Sequence, residues 1–274
     1  MVEQRKVYSI RKMKTPLTQG TIISNCLCDE FQCKRVWGCV ITPRCDLAHD
    51  KVKTVHYLPV INYEEWIRQY ARPVLLEQWR KELLGQIKSA LKGSRLNDGV
   101  IDTLRLLSKE DLLGLGEEFL KSNIDKFKVN VEDYYSEVPS KRFKEYVNGE
   151  KIISGFLNKF TGYANNHYYI IESWDKQDAS PFKVILLREI RRMKYNIAAK
   201  ISEGFLRENF KDEELTDSDL CISDDEIYIS EADILSPYIE HILQHFSNNF
   251  TRIGVVDFER QEIEKMKEIM KENL

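Results

Sequence analysis

Arg44, Cys45 and Asp46 stand in a row directly after Pro43, and His49 follows Cys45 by four residues. A thiol with an imidazole in reach has the parts of a nucleophile and its proton acceptor. Arg44 and His49 would favour the thiolate that such chemistry needs, whereas Asp46 would oppose it. The same residues suit a ligand-contact role. An Asp placed after a strand most often closes a turn or caps the residues that follow, and that is the commonest of the three roles.

Five of the six cysteines, Cys26, Cys28, Cys33, Cys39 and Cys45, fall between Gln19 and Ile61. Zinc accepts four ligands of this kind, for instance Cys28, Cys33, Cys45 and His49. No C-x2-C pair is present, however, and free Cys packs as a small hydrophobe. Packing is therefore expected and no cofactor, with zinc as the alternative. His241 and His245 lie four apart, a helical spacing that can chelate a metal. The residue after His241 is Ile242, so the glutamate of a zincin helix is missing. Ile239, Ile242, Leu243, Phe246 and Phe250 mark the buried face there, which points to a structural or interface role for the two imidazoles.

Arg188, Arg191, Arg192 and Lys194 cluster just after an apolar run. With Lys34, Arg35 and Arg44 they would line one edge and bind phosphates, Tyr168 or Trp174 stacking a base. The net charge is only −3, so any nucleic-acid role needs such a local patch. There is no Gly-rich phosphate loop, no G-x-S-x-G elbow and no paired-carboxylate motif, which leaves nucleotide hydrolysis and serine-hydrolase chemistry unsupported.

The elements that must position these residues are legible in outline. Three β-branched runs, at 21–28, 36–42 and 53–61, are separated by polar breaks, as in a small barrel. From Tyr63 the period becomes helical: Trp66, Tyr70, Val74, Leu76, Trp79, Leu83, Leu84, Ile87 and Leu91, interrupted at Pro73. Ser108 with Asp111 three places on reads as a helix cap. The segment 128–166 shows no clear period and is expected to be irregular or a short helical connection. Two further strands are expected at 167–173 and 182–187. Beyond them come a helix over 195–210, an exposed acidic loop over 211–226, a helix opened by Ser236-Pro237, and a last helix near 258–272. An isolated hairpin is marginal in water, so the late strands are expected to join the early ones. The domain organisation is then a split five-stranded SH3-like barrel (1–62 and 163–194), a helical insertion (63–162) and a C-terminal helical region (195–274), of α+β class.

The order QGTII, VITPRCD, VHYLPVI and SPFKVILLREIRRMKYNI resembles the MazF/PemK-type toxins over about a third of the chain. That family folds as an SH3-like barrel and cleaves single-stranded RNA without a metal. Its second strand opens on an Arg-Pro pair, where this chain has Lys34, Arg35 and Val36. Its third strand ends on a catalytic Thr, where this chain has Ile61, which cannot donate a hydrogen bond to a developing phosphorane. The stretches RCDLAHD and SPYIEHILQHFSNNFTRIGV are similar to bacterial proteins of unassigned function associated with defence gene clusters.

The resemblance implies a toxin- or phage-defence-type protein that engages single-stranded RNA or another nucleic acid, with endoribonuclease activity as its sharper form. Arg35 or Arg44 would then stabilise phosphate charge, with His49 or Cys45 and Asp46 moving the proton. The alternative is a non-catalytic protein-interaction or regulatory module of a defence system, zinc-stabilised in one version. A partner protein is expected and no membrane. The basic N-terminus lacks the apolar core of a signal peptide and no run reaches the roughly 18 apolar residues of a spanning helix, so a cytoplasmic location is expected.

Overall fold

The computed structural model describes residues 6–249 apart from 50, 93–95, 97, 162–166, 177–179, 207, 209–210, 212–216 and 222–226. The helix expected at 258–272 and most of the acidic loop lie outside the described residues.

The chain is α+β. Its N-terminal part forms β1 (Tyr8–Ile10), β2 (Thr21–Ile23), β3 (Trp37–Val40), the short helix α1 (Arg44–Ala48) and the long strand β4 (Thr54–Asn62). Helices α2 (Tyr63–Trp66), α3 (Arg72–Lys92), α4 (Asp98–Thr103), α5 (Lys109–Phe119), α6 (Ile124–Tyr135), α7 (Lys141–Val147) and α8 (Glu150–Thr161) follow. The chain then returns through β5 (Tyr168–Glu172), β6 (Phe182–Leu186), β7 (Arg191–Lys194), α9 (Tyr195–Glu203), β8 (Phe205–Leu206), β9 (Ile227–Tyr228), β10 (Ser230–Ile234) and α10 (Tyr238–Asn248). The main sheet is antiparallel in the order β1-β10-β2-β3-β4-β6-β5, with β7 also on β4. Early and late strands thus share one sheet, as the strand count required.

β4 organises the sheet because its residues alternate between two cores. Val55, Tyr57 and Ile61 face the core shared with the helical insertion, and Leu58 and Val60 face the core under α10. One edge of β4 pairs with β3 over 57–60, while the other pairs with β7 over 54–57 and with β6 over 60–62. His56 directs its N–H to Thr42 and its carbonyl to Ile41, both on the β3 side. By alternation Pro59 faces the opposite edge, in the gap between β7 and β6, where the sheet needs no donor.

The insertion folds around its own core of Ile87, Leu91, Leu104, Leu112, Phe127 and Val131. It is tied to the sheet by Trp66, whose ring packs edge-on against Phe160 and Tyr168. Pro73 has no N–H to return to the preceding turn, and the helix answers with a π-helical turn over Ile67–Ala71. That shifts the helical phase: Leu75, Trp79, Leu83, Ile87 and Leu91 are buried, whereas Val74 is exposed. Ser108 and Asp111 form the expected reciprocal cap on α5.

Three segments differ from expectation. The stretch 128–161 is largely helical, in pieces of 7 and 12 residues after α6, which pack on the first core through Phe143, Tyr146 and Val147 and through Ile152, Phe156, Leu157 and Phe160. The helix at 195 stops at Glu203, since Gly204 takes φ +78 and turns the chain. Beyond it, β10 lies inside the main sheet between β1 and β2, so the C-terminal region supplies a strand as well as helices. Among the described residues no helix is long and apolar enough to cross a membrane.

Candidate functional site

β3 decides which basic residues can act together. Lys34 and Arg35 precede it and Arg44 follows it, so four extended residues, roughly 10 Å, separate the two sides. Arg35 is paired with Glu231 of β10 at 3.0 Å and lies over the Trp37 ring at 4.7 Å. Arg44 reaches Glu240 of α10 at 3.7 Å. The two arginines therefore serve opposite ends of the sheet and do not line one edge.

Arg44, Cys45 and Asp46 open α1, and His49 follows it as an exposed cap. The Cys45 thiol is exposed and donates to the Asp46 carboxylate at 3.5 Å. The segment behaves as a turn: the Asp46 N–H returns to the Pro43 carbonyl, and the Asp46 carbonyl accepts from Lys51.

At the same end of the sheet, β4 and β7 present a basic ledge. His56 stands opposite Arg192 and Thr54 opposite Lys194, while the intervening Val55–Met193 pair turns into the core. Lys51, Lys53, His56, Arg192 and Lys194 are all exposed. A cleft of about 400 Å³ lined by Thr54, Arg192, Met193, Lys194, Asp217 and Asp219 opens beside them. Asp217 binds Lys194 at 2.7 Å and Asp219 accepts the Arg192 backbone N–H at 3.1 Å. The described part of the expected acidic loop is accordingly not free: Ser218 and Leu220 are buried, and Leu220 bridges to Cys26.

Arg191 has a different task. Its side chain is 15 % exposed and is held by Glu189 at 2.8 Å and by Asp29. Glu189 also accepts the N–H groups of Asp29 and Glu30 and the Cys28 thiol, which ties the turn after β2 to the turn before β7. Arg188 in that second turn is exposed. Tyr168 and Trp174 are buried, their polar atoms bound to Glu30 and Glu231, so neither offers a face to a base.

A polar knot closes the other end of the α10 face. Glu231 accepts the indole N–H of Trp37 at 3.0 Å and of Trp174 at 2.7 Å. Lys183, 0 % exposed, lies 3.9 Å over the Trp37 ring and donates to the Asn62 amide oxygen. Desolvated cation–π contact and a charge-assisted bond are what a buried ammonium requires. Sequence reasoning missed this knot, although a lone Lys within the apolar run FKVILL was its signal. It missed His56 too, the one exposed residue of β4.

Burial pushes the Cys39 thiol up to about 12, and it does the same for Cys28 with Glu189 adding to it. Cys33 rises to about 11, through burial and the nearby Glu65. Burial thus holds these thiols protonated, which does not suit a nucleophile. Cys45 and His49 lie on the α1 segment, away from Cys28, and among the described residues no three His, Cys, Asp or Glu side chains converge as a metal site.

No protein-family model, no curated protein and no solved structure matches this chain.

Proposed function

We propose that this protein binds single-stranded nucleic acid, RNA in the first instance, by seating phosphates along the β4–β7 ledge. The observation that carries this reading is the outward-facing His56–Arg192 pair flanked by Lys53 and Lys194 on rigid paired strands. Glu240 and Asp217 already engage Arg44 and Lys194, so Arg192, Lys51 and Lys53 are the cations a phosphate meets first.

The reading takes the sheet as a split SH3-like barrel of MazF/PemK kind, working in a toxin or phage-defence setting. It favours binding without cleavage: Ile61 is buried in the first core, and Arg35 and Arg44 cannot meet at one phosphate. Fluorescence anisotropy with a labelled single-stranded RNA pool tests it. Lys53→Glu with Arg192→Glu should weaken binding by about tenfold or more, and Lys34→Glu at the opposite end should leave it unchanged. Equal loss in both variants would refute the ledge. Absence of any binding at low salt would instead favour a protein-docking module, for which the exposed apolar residues Met13, Leu206 and Ile227 are the observation.

A further inference from the structure

The α10 helix carries His241 and His245 one turn apart, and their rings meet. The centroids are 4.6 Å apart at 83°, and the two Nε2 atoms are separated by 3.2 Å. Tyr169 on the edge strand β5 sits edge-on to both rings, at 5.5 and 5.6 Å. Its hydroxyl is 2.7 Å from His241 Nδ1.

We propose that His241 and His245 are a two-imidazole binding site for a first-row divalent cation, zinc or copper by ligand type, with Tyr169 as its orienting residue. The argument is geometric. Two nitrogens each about 2.0–2.1 Å from a tetrahedral metal lie roughly 3.3 Å from one another. The Nε2 atoms already stand at nearly this separation, 3.2 Å, before any ion enters. A ligating histidine ordinarily donates its other ring N–H to a fixed acceptor, which sets the tautomer and aims the lone pair. When Tyr169 Oη accepts from His241 Nδ1–H, the His241 Nε2 lone pair lies on the side of His245, whose Nε2–H donates to it until an ion displaces that proton to solvent.

The surroundings fit a chelate. His245 is 4 % exposed and His241 is half-buried, next to Ile242 of the second core. Waters or an exogenous anion would complete the coordination, as expected where a protein supplies two ligands. This site is independent of the RNA ledge and of the cysteines.

The test uses the full chain titrated with Co²⁺ followed by visible absorption, and with Zn²⁺ in competition with a chromogenic indicator. One equivalent should bind with d–d bands and no thiolate charge-transfer band. His241→Gln should abolish it, and Tyr169→Phe, which keeps the packing, should weaken it about 10–100-fold. His245 is buried, so the half-exposed His241 and Tyr169→Phe carry the test even if His245→Gln does not fold. Absence of stoichiometric binding, a thiolate band, or affinity unchanged in His241→Gln would each overturn the proposal.

Discussion

His56 of β4 and Arg192 of β7 stand directly opposite each other with both side chains outward, while their neighbours Val55 and Met193 are opposed and buried. Partners across an antiparallel ladder share a face, so a phosphate meeting one of the pair meets the other. Because β7 shares its edge of β4 with β6, the ledge exists only where the strand changes partners.

The tight packing over Gly38 of β3 gives a stability prediction. A Cβ on Gly38 would lie 2.7 Å from both Cys26 Sγ and the Tyr57 ring. Gly38→Ala should therefore destabilise the fold by about 1–3 kcal/mol through overpacking. A urea midpoint equal to wild type would contradict the packing of β3 on β4.

Glu231 offers a second. Its carboxylate only accepts, and two indole N–H groups and Arg35 donate to it. Glu231→Gln places an amide donor among donors and should cost about 1–3 kcal/mol, with a shift in tryptophan emission as Trp174 loosens. Arg35→Ala, on the half-exposed side of the same knot, should cost no more than about 1 kcal/mol.

Much of this was legible in residue types and much was not. The three early runs and the Ser108 cap follow from β-branched composition, turn residues and cap chemistry, all of which are local, and the return of the late strands follows from the marginal stability of an isolated hairpin. β10 was not legible, because SEADI has only Ala232 and Ile234 to bury. Its acids are answered by residues some two hundred positions away, Arg11 and Thr21 binding Asp233. The same distance explains the basic set. Sequence adjacency put Arg191 beside Arg192, but strand alternation sends Arg191 inward to Glu189 and Asp29 and Arg192 outward to solvent. Charge alone groups Lys34 and Arg35 with Arg44, and only the length of β3 shows that they serve different ends.

Thiol chemistry gives a pH-dependent prediction. With burial holding Cys28 and Cys39 at about 12 and raising Cys26 as well, the exposed Cys45 should react first with iodoacetamide in the native protein, and the buried Cys26 and Cys39 last. The ordinary thiol value is 9.0, so from pH 9 to about 12 the native state keeps protons that the unfolded chain releases. Stability is then intact below pH 9 and falls as pH rises through that window, buried Tyr57 acting in the same direction. A urea midpoint that stays level up to pH 10.5 (about one and a half units into the window) would contradict these burials.

The measurement that bears most directly on the ledge is the salt dependence of single-stranded RNA binding. Each phosphate neutralised contributes a slope of about −0.7 in log K against log salt. Contacts from Lys51, Lys53 and Arg192 predict a slope near −2 for the wild type, reduced in magnitude by about 1.4 in Lys53→Glu with Arg192→Glu. A flat wild-type line, or an unchanged slope in the variant, would show that nucleic acid does not bind where β4 and β7 meet.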